Sequence, residues 1–231
     1  MGKVEIEPET VTLEEAILGR RSVRGFLPTP VPREVLEKVF EWAQRTPSNC
    51  NIQPWKVFVA SGAARDRIRA KLIERILGGV PMNPDYDYPG KFEGEYRTRQ
   101  VECAVAMYTA MNIARDDSAG RAKASLRNFE LFDAPHVAFI GMHKAFGTTV
   151  GLDVGMYAQS LMLAMHAHGI GSCAQGSMRY YPDVVREEFP GNEDTKILFG
   201  ISFGYEDPEV PANATRTVRD AIDKSVTFKD E

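Results

Sequence analysis

Cysteine is scarce in this chain of 231 residues: Cys50, Cys103 and Cys173 are odd in number and far apart. They fit neither a disulfide framework nor the close-set pairs of a zinc site, and they suit a reducing compartment. Histidine is almost as sparse, with four. His166 and His168 come nearest to each other, but residues two apart on a helix point to nearly opposite sides and cannot share one ion. No metal site is expected. No apolar run approaches the roughly 20 residues that would cross a bilayer. The opening MGKVEIEPETVTLEE carries acids where a secretory signal needs a basic and then an apolar stretch. A cytoplasmic protein without membrane contact is the expectation. Positive charge is not in excess either: the net charge is −4 with Lys and Arg dispersed, which argues against a nucleic-acid partner.

What is present is an ordinary globular composition. A 43% hydrophobic content at this length allows one sizeable core, so residues 1–231 are expected to form a single domain. Thr12 is placed to cap a short helix ending at Gly19, with Glu15 three residues on and Leu13, Ala16 and Ile17 as its apolar stripe. RRSVRGFLPTPVP follows, whose three prolines forbid a long helix. REVLEKVFEWAQR then sets Val35, Leu36, Val39, Phe40 and Ala43 at helical spacing. TPSNCNIQPW is a polar loop, and KVFVAS a strand.

Ala63 to Leu77 is a second helical pattern, and residues 79–100, rich in Gly, Pro and Tyr without periodicity, read as a lid. Val101, Ala104, Val105, Tyr108 and Met111 mark a further helical face, and HVAFIGMH a buried strand. Residues from Val150 to His168 outline a long apolar helix suited to the middle of the molecule, ended by Gly169 and Gly171. SCAQGSM and KILFGISFG read as strands, the second buried on both faces. The elements describe an α/β or α+β protein without repeats or linkers.

Two motifs mislead. Gly200-Ile-Ser202-Phe-Gly204 matches a hydrolase nucleophile elbow, but Tyr-Glu-Asp-Pro follows it rather than a helix and no histidine lies beyond His168. It reads as core strand. Gly169-x-Gly171-x-x-Ala174 imitates a dinucleotide fingerprint, yet a helix precedes it and a strand follows, the reverse of what that motif needs.

Two clusters carry chemistry. Arg20, Arg21, Ser22 and Arg24 lie in a stretch from Gly19 to Arg33 with four arginines and no acid. Guanidinium forks and a hydroxyl suit phosphate oxygens. Arg216 and Arg219 form a second acid-free stretch. The loop Pro47-Ser48-Asn49-Cys50-Asn51-Ile52-Gln53-Pro54-Trp55 offers three amides that donate and accept together, which a ring edge of alternating carbonyls and nitrogens requires.

Together RRSVRGF and PSNCNIQPW resemble the N-terminal signature of the FMN-dependent nitroreductase family. GLDVGMYAQSLMLAMHAHGIG, SCAQG, ILFGISFGYED and NATRTVRDAIDKSVTF continue that likeness in the family's order through the whole chain. DYDYPGKFEGEYRTR and NFELFDAPHVAF look most like the nitroaromatic and nitrobenzoate reductases. The resemblance implies an α+β fold, with a central mixed sheet flanked by helices and a C-terminal extension exchanged in a homodimer. It also implies FMN sites at the subunit interface, NADPH or NADH as hydride donor, a ping-pong order, and a small electron-poor aromatic acceptor.

By the same likeness Arg20, Arg21 and Ser22 would hold the phosphate and ribityl chain, with Arg24 at the ribityl or ring edge. Pro47, Ser48 and Asn49 would reach the partner's flavin, with Asn51 and Gln53 shaping the loop. Gln175 and Gly176 would offer backbone N–H groups to the ring, Arg219 would return to the phosphate with Arg216 beside it, and SVTF would embrace the other subunit. No residue is assigned as catalytic acid or base, since hydride chemistry belongs to the cofactor. The lysine that many relatives carry in the segment reading NFELFDAP is missing, which leaves Arg24 as a substitute charge. Tyr86, Tyr88, Phe92 and Tyr96 could stack on the acceptor. Alternatives are a quinone reductase or reductive dehalogenase on the same scaffold, or a non-catalytic flavin-binding sensor. The dehalogenase branch carries a lid glutamate four residues before a tyrosine, and this chain has no such pair between Gly79 and Ala110.

Overall fold

Thr12 caps α1 (Leu13–Gly19) through a reciprocal pair of bonds: its hydroxyl accepts from the Glu15 N–H, and the Glu15 carboxylate accepts from the Thr12 N–H. The structure, a computed structural model, describes residues 11–87 and 90–230. After α1 come α2 (Arg33–Ala43), β1 (Trp55–Ser61), α3 (Gly62–Leu77), α4 (Gly94–Ala110), α5 (Ser118–Leu126), β2 (His136–His143), α6 (Thr148–Ala167), β3 (Gly171–Gln175), α7 (Pro182–Glu188) and β4 (Thr195–Gly204).

The four strands form one sheet in the order β1-β2-β4-β3. Every neighbouring pair in it is antiparallel. Parallel pairing is confined, among the described residues, to the isolated bridge between Ser22 and Ser172, so the expected mixed character rests on that bridge alone. β2 shows why a continuous apolar run suits an inner strand. Ala138, Ile140 and Met142 face a core shared with α2 and α6, while Val137 and Phe139 face one shared with α3 and α7. Gly200 in β4 leaves room for Met178, whose Cγ would stand 2.6 Å from an added Cβ.

α6 occupies the central place its sequence predicts. It buries Val154, Tyr157, Leu161 and Met165, and Tyr157 stacks on Trp55 of β1 with centroids 4.8 Å apart. Its end is a Schellman turn: the N–H of Ile170 bonds to Met165 O at 2.9 Å and that of Gly169 to His166 O at 3.0 Å. Gly169 sits at φ +70°, which glycine adopts without steric cost. His166 and His168 diverge as predicted, His166 towards Gly19 and His168 against the ring of Trp42. Ser202 is fully buried in β4, where its hydroxyl donates to Gln175 Oε1.

α5 and α7 have no counterpart in the sequence reading. The stretch 79–100 is only partly a lid, because α4 begins inside it at Gly94. No side chain of α4 is buried, and its expected apolar face leaves Val101 and Val105 exposed.

Candidate functional site

The arginine segment leaves α1 in an extended conformation and pairs with β3: the Val23 N–H bonds to Ser172 O at 3.0 Å. Extended chain sends successive side chains to opposite sides, and the charges divide accordingly. Arg20, Ser22 and Arg24 all act on the Cys173 thiol, although burial outweighs them and pushes that thiol up from its ordinary pKa. Arg21 turns elsewhere, and its single nitrogen Nη2 donates to both carboxylate oxygens of Glu206, just beyond β4.

Arg20, Arg21, His166, Ser172 and Glu206 wall a cavity of about 120 Å³ at the C-terminal end of α6. Its volume suits a head group rather than a ring system. Nε of Arg20, Nε of Arg21 and Oγ of Ser172 are buried there without a hydrogen-bond partner. Buried donors are seldom left so.

Asn213 holds this segment in place. Its Oδ1 accepts from the Arg24 N–H at 2.6 Å, and its Nδ2 donates to Gly25 O at 2.9 Å and to Asp207 O at 2.8 Å. Gly25 permits the approach, since an added Cβ would stand 2.4 Å from Val210 Cβ. Arg216 follows, donating to Asn213 O and Thr215 O at 2.8 and 3.0 Å. It is thereby kept beside the arginine segment. Arg219 is not: its guanidinium bonds within its own stretch, to Thr217 Oγ1 and Val218 O, each at 3.0 Å.

The amide loop is strained where its polar side chains are exposed. Cys50, Asn51 and Gln53 have φ of +49°, +56° and +47°, a region costing non-glycine residues about 1–3 kcal/mol each. Three sets of bonds hold it. Gln53 N–H donates to Ser48 Oγ at 3.0 Å, Asn51 N–H to Ser48 O at 3.0 Å, and Asn49 N–H to Asp153 Oδ2 at 3.1 Å. Asp153 is a buried acid on α6. Pro47, Asn49, Asn51 and Gln53 are exposed, so the loop presents its amides outward.

Loop and arginines do not meet within the chain. Asp153 and His166 mark their attachments near opposite ends of α6, about 20 Å apart at a rise of about 1.5 Å per residue. Each is half of the arrangement expected.

Gln175 ends β3 with its side chain turned inward, donating to Asn128 O at 2.8 Å and accepting from Ser202. Only its backbone and that of exposed Gly176 remain for a ligand. The Asn128 segment carries three successive left-handed residues, Leu131, Phe132 and Asp133 at φ +57°, +53° and +62°. Arg127 supplies a cation there, but its partners are Glu130 and Asp133. In the lid, Tyr86 is packed rather than free: its hydroxyl donates to Phe146 O at 3.4 Å, and Lys196 Nζ lies 5.0 Å from its ring centroid. Asp85 pins the lid's root, accepting from Ile197 N–H and from Arg186 at 2.8 Å each. Phe92 and Tyr96 are exposed, and Tyr88 lies outside the described residues.

Asn213, Asp153, Ser172 and Glu206 escape a reading by residue type. Asn213 and Asp153 lie within the stretches NATR and GLDVG, but their partners are far off in sequence.

A model described as the nitroreductase family matches residues 17–205. The chain is 40% identical over 220 residues to nitroreductase NfnB of Mycolicibacterium smegmatis, covering 93% of this chain and 92% of that protein. It is 30% identical over 215 residues to a 4-nitrobenzoate reductase of Pseudomonas putida, covering 91% and 92%. The crystal structure of FMN-dependent nitroreductase NfnB from Mycobacterium smegmatis in complex with NADPH superposes with a TM-score of 0.89 at 40% identity, over 94% of this chain and 97% of that one.

Proposed function

Because the chain belongs to the nitroreductase family, we propose that it is an FMN-dependent, NADPH-using oxidoreductase that reduces small nitroaromatic compounds. The observation that carries the reading is the extended segment after α1, which pairs with β3 and brings Arg20, Ser22 and Arg24 together beside Cys173. When bound, FMN supplies the hydride chemistry, and the protein's task is to hold and orient it. Arg20 and Ser22 would grip the phosphate end, and Arg24 would lie further along the cofactor. Arg216 would lend charge from the Asn213 segment. Arg21, turned to the other side and engaged by Glu206, would steady the segment rather than grip the phosphate.

The site takes two chains. Since loop and arginines sit at opposite ends of α6, the exposed Asn49, Asn51 and Gln53 would complete the site of a second copy. The tail supports the same arrangement: Val218, Ile222, Val226 and Phe228 are all exposed. β1 is an edge strand, and beside it Leu36, Phe40, Trp55 and Val57 help to line an apolar groove of about 350 Å³. An unpaired edge with an apolar trough accepts an added strand. The residues SVTF of a partner's tail would fill it.

Adding FMN to apoprotein and following NADPH oxidation with 4-nitrobenzoate tests the reading. Yellow protein and parallel double-reciprocal lines are expected. A chain that neither takes up FMN nor consumes NADPH overturns it, and one that binds FMN without turnover is the sensor instead.

A further inference from the structure

Ser202, the serine of the G-x-S-x-G stretch, is fully buried in β4 and paired across the sheet with Val137 of β2 and Cys173 of β3. A buried hydroxyl costs free energy unless it is bonded, and this one is aimed at the side chain of Gln175, itself 2% exposed. The direction of that bond is fixed from the far end. Gln175 Nε2 meets Asn128 O at 2.8 Å, and a carbonyl only accepts. Oε1 is therefore the atom left for Ser202, and the hydroxyl must donate.

The buried amide joins three parts of the chain. Asn128 O also receives the Leu131 N–H at 3.1 Å, at the start of the left-handed run Leu131 to Asp133. That run covers part of β3, since Phe132 clusters with Cys173 and Val23. Cys173 and Gln175 are two apart on one strand and share a face. At Cys173 the face meets Arg20, Ser22 and Arg24, and about 7 Å further on, at Gln175, the strand turns into exposed Gly176. Gly176 O accepts from Arg179 Nη1 at 3.1 Å. The Gly176 N–H is thus held between a fastened side chain before it and a fastened carbonyl after it.

We propose that Ser202 is a positioning residue for the flavin ring: acting through the Gln175 amide, it fixes the direction in which the Gly176 N–H points. The inference rests on the FMN reading, in which that N–H meets the ring. A fixed N–H dipole aimed at developing negative charge needs no reorganisation when the charge arrives, and the reduced ring carries more of it than the oxidised one. Ser202 therefore favours the reduced cofactor without touching it. Without the hydroxyl, Gln175 Oε1 is a buried acceptor lacking a donor, and the amide is free to turn away from Asn128 O.

The test is the midpoint potential of bound FMN, read by anaerobic titration of the holoenzyme against a reference dye. In Ser202→Ala the affinity for reduced relative to oxidised FMN should fall about 10-fold, a downward shift of about 30 mV for a two-electron couple. Oxidised FMN should stay bound, because the arginines are untouched. Gln175→Met, of similar length but without the amide, should give the same shift, and the double variant Ser202→Ala/Gln175→Met no more than either alone. Ile201→Val, which trims a buried neighbour on the same strand, should lower the urea midpoint and leave the potential at the wild-type value. A Ser202→Ala holoenzyme at wild-type potential overturns the role of Ser202 and leaves the FMN reading standing. Single shifts that add in the double variant, or an equal shift in Ile201→Val, overturn it too, because Ser202 then acts by packing and not through Gln175. Should Ser202→Ala fail to fold, Ser202→Cys, which fills similar space with a weaker donor, is judged by the same shift. Wild type that binds no FMN overturns the functional reading itself.

Discussion

The backbone N–H of Asn49 donates to Asp153 Oδ2 at 3.1 Å, and through that bond a strained, exposed loop is fastened to a buried acid on α6. A hydrogen bond to a charged group contributes about 1.5–3 kcal/mol. Asp153→Ala is therefore expected to free the loop and weaken FMN binding about 10-fold, with Asp153→Asn keeping most of the affinity. Fluorescence titration of apoprotein checks both, and an unchanged affinity in the alanine variant would detach the loop from the site.

Arg20 shares the Cys173 side of the extended segment with Ser22 and Arg24. Its loss should discriminate between ligands. Arg20→Ala should raise the Kd for FMN about 10–100-fold, as the loss of one or two charge-assisted bonds implies, while riboflavin changes little. Equal losses for the two ligands would place the phosphate away from Arg20.

Asn213 makes three bonds that tie the Arg24 segment to residues beyond β4, and it is 5% exposed. Truncating it leaves the Arg24 N–H without its partner, while Gly25 O and Asp207 O keep only the N–H groups of Asp207 and Val210. Asn213→Ala should cost about 2–4 kcal/mol in urea unfolding, and bound flavin should be lost before the fold is.

His136 is a buried histidine whose pKa is lowered to about 4, first by burial and then by Arg65. Its Nε2 accepts from the Val31 N–H at 2.9 Å, so the neutral ring carries its proton on Nδ1, facing Ser61 Oγ. The folded pKa lies below the unfolded value of about 6.5, so the unfolded chain takes up the proton first. The contribution is whole above pH 6.5 and is lost as pH falls towards 4, by about 3 kcal/mol. Urea midpoints at pH 7.5 and 4.5 should show this slope, and His136→Gln should remove it.

Residues 221–230 are exposed throughout. Deleting residues 221–231 should convert dimer to monomer in sedimentation and release FMN. A truncated chain that stays dimeric and yellow would assign the tail no part in the interface.

Much of this was legible in the residues because it was local. The Thr12–Glu15 capping box, the glycine that closes α6, and the continuous apolar runs of β2 and β4 each depend on neighbours a few positions away. α5 and α7 were not legible: α5 buries only Ala124, and α7 is seven residues long, so neither shows an apolar period. The lid boundary failed for a related reason, since α4 has no fully buried residue and carries a polar first turn. For the proposed site, residue types pointed to the arginines and the amide loop. Arg21's ion pair with Glu206 spans 185 positions, and the bonds of Asn213 to Arg24 and Gly25 span 189 and 188. Such partners are set by the fold and leave no spacing to read.

The proposed two-chain site, with its arginines and its loop at opposite ends of α6, has a genetic consequence. At an FMN concentration too low to fill the weakened sites, a chain damaged only at Arg20 and a chain damaged only at Asp153 would each fail as a pure dimer. Mixed, they would rescue one another. In the heterodimer one site would draw its arginines from the second chain and its loop from the first, both intact, and the other site would inherit both lesions. Two inactive alleles expressed together should therefore restore activity, to at most half the sites in each mixed pair.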